Sequence, residues 1–121
     1  MRRGQIWTVS GGQDYVGKPR PVVILQEDSF DATASITICA FTTDETEAPL
    51  FRLLVQPNER NGLRSACRLM IDKITTVPKA KLGAQIGQLS DEDMLRLNQA
   101  VTVFLGLAGP VRRRHGPSSD E

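Results

Sequence analysis

Apolar and polar positions alternate with a two-residue period through most of the chain up to Leu89, which is the mark of short β-strands. They switch to a helical period only after that. Ile6-Trp7-Thr8-Val9 predicts a first strand, followed by a glycine-rich loop over 10–18. Pro19-Arg20-Pro21 leads into Val22-Val23-Ile24-Leu25, a continuous apolar run suited to a strand buried on both faces, with the prolines tolerable only at its start. Over 35–43 the period puts Ile36, Ile38, Ala40 and Thr42 on one face and Thr37, Cys39, Phe41 and Thr43 on the other. Residues 50–55 read as another strand, and 56–62 as a turn closing on Asn61-Gly62. The run 67–77 reads as one strand with Arg68, Met70 and Asp72 on one face and Cys67, Leu69 and Ile71 opposite. Pro78 ends it, 78–82 fits a helical turn, and 84–89 is a last short strand.

One long helix follows. Ser90 is a good N-cap, and Asp91, Glu92 and Asp93 fill the first turn, where the helix dipole favours acids. Met94, Leu97, Val101, Phe104 and Ala108 form an apolar stripe, and Gly109-Pro110 marks the stop. Many short strands and then a single helix predict a mainly β (α+β) fold, a small, strongly bent antiparallel barrel with a C-terminal α-helix. Without helical crossovers, a parallel sheet is ruled out. The expected domain spans 1–109, and 110–121 reads as a disordered polar tail.

Composition narrows the chemistry. The 121 residues carry a net charge of only +1, and the body to position 109 holds 12 basic and 12 acidic side chains. A polyanion partner would therefore have to meet a local patch. The expected basic patch gathers Lys18, Arg20, Arg64, Arg68 and Lys73, while Glu45, Glu47 and Asp91 to Asp93 are expected on the far side. No apolar run approaches the roughly 18 to 20 residues of a membrane span, and no secretory signal is expected at the N-terminus. The two cysteines, Cys39 and Cys67, lack metal-ligand spacing and sit in apolar strands, as buried thiols in a reducing cytoplasm would.

The single histidine, His115, lies in the tail, so the body holds no Ser–His pair and no histidine metal site. The acid clusters 44–47 and 91–93 read as a solvated turn and a helix cap, so neither a metal nor a cofactor is expected. What remains is arginine, hydroxyls and one carboxylate inside an apolar strand: Arg20 between two prolines, Thr42 and Thr43 at a strand end, and Asp72. Such a set suits RNA cleavage, in which the 2′-hydroxyl attacks the neighbouring phosphate. A guanidinium and hydroxyls hold the phosphate oxygens, and a carboxylate is a more comfortable base than arginine. Each residue also has a structural reading: Arg20 at the surface, Asp72 paired with Lys73 or Arg68, and threonines simply favoured in strands.

Taken in order, several segments resemble the MazF/PemK/Kid family of mRNA-cutting toxins. They are Arg3-Gly4-Gln5-Ile6-Trp7, Arg20-Pro21-Val22-Val23-Ile24, Ala40-Phe41-Thr42-Thr43, Glu59-Arg60-Asn61-Gly62-Leu63, the segment from Asp72 to Val77, and Ile86-Gly87-Gln88-Leu89 with the helix. The resemblance covers about residues 2 to 108. It implies an SH3-like barrel of the CcdB/PemK kind, a homodimer, and a cytoplasmic, metal-independent, sequence-specific endoribonuclease. The substrate class is single-stranded mRNA. The implied partner is a cognate antitoxin whose acidic, disordered tail covers the RNA groove. Catalytic roles carry over onto Arg20 and Thr42, and in the Kid branch onto Asp72. There an arginine stands two positions before the aspartate, where this chain has Met70 and offers Arg68 two positions further back. Lys18, Thr43, Arg64, Arg68 and Lys73 are the expected RNA contacts. Two other readings of the same barrel are a CcdB-like poison of DNA gyrase and a plain SH3-like interaction module, neither of which needs Arg20 or Thr42.

Overall fold

The computed structural model describes residues 1–10, 19–107 and 109. Its strands are β1 (Gln5–Val9), β2 (Arg20–Ile24), β3 (Ser35–Thr42), β4 (Arg52–Val55), β5 (Cys67–Met70), β6 (Thr75–Pro78) and β7 (Leu82–Gln88), and α1 (Asp91–Phe104) follows. Every pairing is antiparallel, in the order β4-β5-β3-β2-β1-β7, with β6 attached to β3.

β3 is the longest strand and organises the rest. Its first half pairs with β6 from Ser35 to Ile38, its second half pairs with β5 at Phe41 and Thr42, and β2 runs along its other edge at Ile38 to Ala40. The alternation expected for this strand is present, and both of its faces are buried. Ile36 and Ile38 pack with Val9, Val22 and Ile24 on one side; Cys39 and Phe41 pack with Ile6, Val23, Leu69 and Ile71 on the other. The second core is closed by α1 through Leu97 and Ala100. Burying a leucine such as Leu97 completely is worth about 1.5–3 kcal/mol.

Three local expectations change. The segment 67–77 is not one strand: Ile71–Lys73 is a 3-10 turn between β5 and β6, pinned by the fully buried Ile71. Arg68, Met70 and Asp72 therefore do not share one pleated face. The helix begins at the Ser90 cap as expected, with Asp93 N–H donating to Ser90 Oγ at 3.1 Å, but it stops at Phe104. Gly106 has a φ of +72°, and Gly106 N–H and Leu107 N–H donate back to the Val103 and Thr102 carbonyls at 3.1 and 2.8 Å, a Schellman closure. Phe104 is half exposed and meets the Phe51 ring, with centroids 6.0 Å apart. The third change concerns the barrel, which is an open path among the described residues: no ladder joins β4 to β7.

The segment after β4 bridges that gap. Asn61 is fully buried; its amide donates to the Gln56 carbonyl, and its oxygen accepts from Asn58 N–H and Leu63 N–H, at 2.9 to 3.1 Å. The turn then lies directly on β7, where Gln88 N–H donates to the Arg60 carbonyl at 2.9 Å. Backbone meets backbone so closely that a Cβ at Gly87 would stand 2.3 Å from the Asn61 carbonyl carbon. Gly87→Ala should therefore cost about 1–3 kcal/mol in urea unfolding, because the turn must move off β7. An unchanged midpoint would show that this contact does not close the sheet.

Candidate functional site

A cleft of about 800 Å³ opens where the start of β2, the end of β3 and the docked turn meet. Arg20 stands at the first position of β2, held by the Val9–Arg20 register and flanked by Pro19 and Pro21, which also line the cleft. Proline fixes its own φ and restricts its predecessor, so this stretch enters the sheet in one conformation. Thr42 is the last residue of β3 and Thr43 follows it. From the third side come Gly62, Leu63, Arg64, Ser65 and Cys67, presented by the turn that Asn61 holds together.

Of the residues singled out in the sequence, the structure thus brings Arg20, Thr42, Thr43 and Arg64 into one cleft. Lys18 lies outside the described residues, as do the rest of the first loop and the 110–121 tail. Lys73 is exposed at the end of the 3-10 turn and does not line the cleft. Thr8 and Ser65 join the lining without having been anticipated. Both were hidden for an ordinary reason: a hydroxyl in a strand or a polar loop carries no distinguishing signal.

Thr42 has a defined polarity. Its Oγ1 accepts the backbone N–H of Asp44 at 3.1 Å. A hydroxyl has one proton and two acceptor positions, so this bond occupies an acceptor position and leaves the proton to be donated elsewhere. Arg68 is Thr42's direct partner across the β3–β5 ladder, which puts the two side chains on the same face of the sheet. It does not line the cleft. Its guanidinium turns instead to Glu47 Oε2 at 3.4 Å and to the Asp44 carbonyl at 3.5 Å. The acidic turn expected on the far side is therefore beside the cleft, because it starts one residue after Thr43.

Asp72 is engaged elsewhere. Arg52 Nε and Nη2 donate to its two carboxylate oxygens at 2.8 and 3.1 Å, a bidentate pair whose side chains are largely shielded from water. That bond, ahead of the opposing effect of desolvation, holds the Asp72 carboxyl below the ordinary aspartate range. Asp72 does not line the cleft. The expected partners Lys73 and Arg68 are replaced by a residue from β4. The cleft's described lining is consequently guanidinium, hydroxyl, thiol and apolar groups, with no carboxylate and no imidazole. Among the described residues no three His, Cys, Asp or Glu side chains converge as metal ligands would. Cys67 and Cys39 are buried free thiols; burial pushes Cys67 up to about 11, and burial followed by the charge of Asp72 pushes Cys39 up to about 12. Both are neutral thiols near neutral pH and poor nucleophiles. The opening Arg3-Gly4-Gln5-Ile6-Trp7 segment serves the frame: Arg3 Nε donates to the Leu25 carbonyl at 2.7 Å, and Trp7 Nε1 donates to Gln5 Oε1 at 3.0 Å.

Known proteins resemble the chain along most of its length. A family profile described as "PemK-like, MazF-like toxin of type II toxin-antitoxin system" matches residues 2–105. A probable endoribonuclease MazF of Mycolicibacterium smegmatis is 51% identical over 109 residues, spanning 90% of this chain and all of that protein. The solved Mycobacterium tuberculosis toxin MazF-mt6 superposes with a TM-score of 0.71 at 25% identity, covering 84% of this chain and 96% of that one. A mycobacterial endoribonuclease in complex with its cognate antitoxin has the same fold, with a TM-score of 0.73 at 24% identity over 91% of this chain and 99% of its own.

The ion pair makes a signed prediction. Because Arg52 lowers the Asp72 pKa in the folded state, the pair's stabilisation is complete above the ordinary aspartate value and disappears as pH falls through the folded value. Asp72→Asn should cost about 2 kcal/mol at neutral pH, with the gap to the unsubstituted protein closing in acid. A pH-independent gap in urea unfolding would contradict this account of the pair.

Proposed function

Since the chain belongs to the PemK-like, MazF-like toxins of type II toxin–antitoxin systems, we infer that it is an endoribonuclease whose active site is the cleft around Arg20 and Thr42. The observation that carries this assignment is the meeting, in one cleft, of the Arg20 guanidinium, on a backbone fixed by two prolines, and the Thr42 hydroxyl, whose bond from Asp44 N–H uses an acceptor position and leaves its proton to donate.

In the reaction we propose, the ribose 2′-oxygen forms a bond to the adjacent phosphorus and the bond to the 5′-oxygen breaks. Solvent water takes the proton from the 2′-oxygen and supplies one to the 5′-oxygen, giving a 2′,3′-cyclic phosphate and a 5′-hydroxyl. Negative charge gathers on the non-bridging phosphate oxygens in between. Arg20 matches those oxygens with a planar fork of donors, and the Thr42 hydroxyl donates to one of them. Donors already in place for developing charge are the strongest catalytic device open to a site of this composition. Metal independence fits the same reading, in which guanidinium and hydroxyl groups supply the charge stabilisation. Asp72 is here a structural residue, since a carboxylate held by arginine and pushed to lower pKa is a weak proton acceptor.

Thr43, Arg64, Arg68, Lys73 and Lys18 supply RNA contacts along single-stranded mRNA. A cognate antitoxin with an acidic, disordered tail suits the same cationic groups. Apolar side chains left in solvent along and just beyond α1, Leu95, Val103, Leu105 and Leu107, favour a homodimer. The toxin acts in the cytoplasm, where its mRNA substrate is. No helix among the described residues is long and apolar enough to cross a membrane. The gyrase-poison and interaction-module readings give no role to Arg20 and Thr42 sharing a cleft.

Cleavage of a single-stranded RNA in EDTA checks the assignment. Arg20→Ala should lower kcat/KM by about 10² to 10³ or more with the unfolding midpoint preserved. Thr42→Val should lose about 10², while Thr42→Ser, which keeps the donor, stays within about tenfold. Full activity in Arg20→Ala would overturn the site.

A further inference from the structure

The turn that follows Thr43 carries its own carboxylate to an arginine beside the cleft. Arg68 and Thr42 are directly opposed across β3 and β5, with Cβ atoms about 4.5–5.5 Å apart in such pairs, so Arg68 starts from the same patch of sheet as the proposed catalytic hydroxyl. Its side chain is only 16% exposed, and its head is drawn toward Glu47 and the Asp44 carbonyl. Glu47 is 84% exposed. An exposed carboxylate is a weak and replaceable partner for arginine. A phosphodiester has the same charge and the oxygen geometry a guanidinium binds best.

We propose that Glu47 occupies Arg68 in place of an RNA phosphate, and that substrate binds by displacing it, with Arg68 taking the phosphate neighbouring the one that is cut. The proposal rests on the cleft around Arg20 and Thr42 being the RNA site. It adds that the acidic turn sets affinity, acting as a competitor within the chain. The turn is suited to this because it is tied to the reacting hydroxyl as well: Asp44 gives its N–H to Thr42 and its carbonyl to Arg68. Displacing Glu47 can therefore leave the Thr42 bond in place, since that bond is made by backbone. RNA arriving at Arg68 exchanges one anion for another, so the guanidinium never loses a counter-charge. The competitor also disfavours weakly bound polyanions that reach Arg68 without filling the cleft.

The test separates this contact from general electrostatics. Dissociation constants are measured by fluorescence anisotropy for a short 2′-O-methyl oligoribonucleotide, which cannot be cut by 2′-hydroxyl attack. Glu47→Gln should tighten binding about threefold to tenfold, whereas Glu45→Gln, an equal charge change in the same turn, should shift it by less than about twofold. In an Arg68→Ala background, Glu47→Gln should have no more effect than Glu45→Gln. Equal effects of the two substitutions, persistence of the Glu47→Gln gain without Arg68, or absence of binding by the unsubstituted protein would overturn the proposal. If the binding pattern holds but the protein leaves unmodified RNA intact, the competitor stands and the endoribonuclease reading fails.

Discussion

Strand β3 is the constraint on which everything else rests. It is buried on both faces and pairs with β2, β5 and β6, so its position is fixed by two cores and three ladders. A one-residue slip would turn each buried residue of Ile36 to Phe41 toward the wrong core, which is a steep penalty on any register but the observed one. Thr42 ends this strand, and β2, with Arg20 at its start, is hydrogen-bonded alongside it. The backbone positions of Arg20 and Thr42 are therefore set by paired strands and not by loops, the kind of mounting that the proposed charge stabilisation at a phosphate would need.

Around that scaffold the charged groups divide into two kinds. Arg52 and Asp72 satisfy each other bidentately and anchor the 3-10 turn to β4. Arg20 and Arg64 face the cleft, and Arg68 lies beside Thr42 with a loosely held carboxylate. The near-zero net charge thus conceals a local arrangement in which Arg20 and Arg64 line the cleft and Glu47 meets Arg68 beside it. Placement governs recognition of a polyanion here, because at physiological ionic strength charges more than about 8 Å away are largely screened.

Much of the frame was legible because burial has a period. The faces of 35–43, the doubly buried Val22-Val23-Ile24 and the Ser90 cap all follow from spacing and residue type. The end of the helix was misplaced because Ala108 continues the apolar stripe past Gly106, and a stripe does not show where backbone carbonyls are closed by a left-handed residue. Asp72 was misread for a related reason: the two-residue period assumes unbroken pleat, and the 3-10 turn at Ile71–Lys73 breaks it. Its partner, Arg52, lies twenty residues earlier, beyond any local pattern. Arg20 and Thr42, which share the cleft, were singled out through their chemistry and through family resemblance, whereas Thr8 and Ser65 carry hydroxyls indistinguishable from those of any strand or loop. The acidic turn was placed too far away because charge was treated as a patch property, when its distance from Thr43 along the chain is a single residue.

We propose that the cleft's guanidinium and hydroxyl groups cut RNA by making its 2′-hydroxyl the nucleophile. End-group analysis of a long, unstructured RNA digested by the protein in EDTA tests it most directly. With the 2′-hydroxyl as nucleophile, the upstream fragments should carry 2′,3′-cyclic phosphate and the downstream ones a free 5′-hydroxyl. Fragments with 5′-phosphate ends, or cleavage that occurs only when a divalent metal is restored, would contradict it.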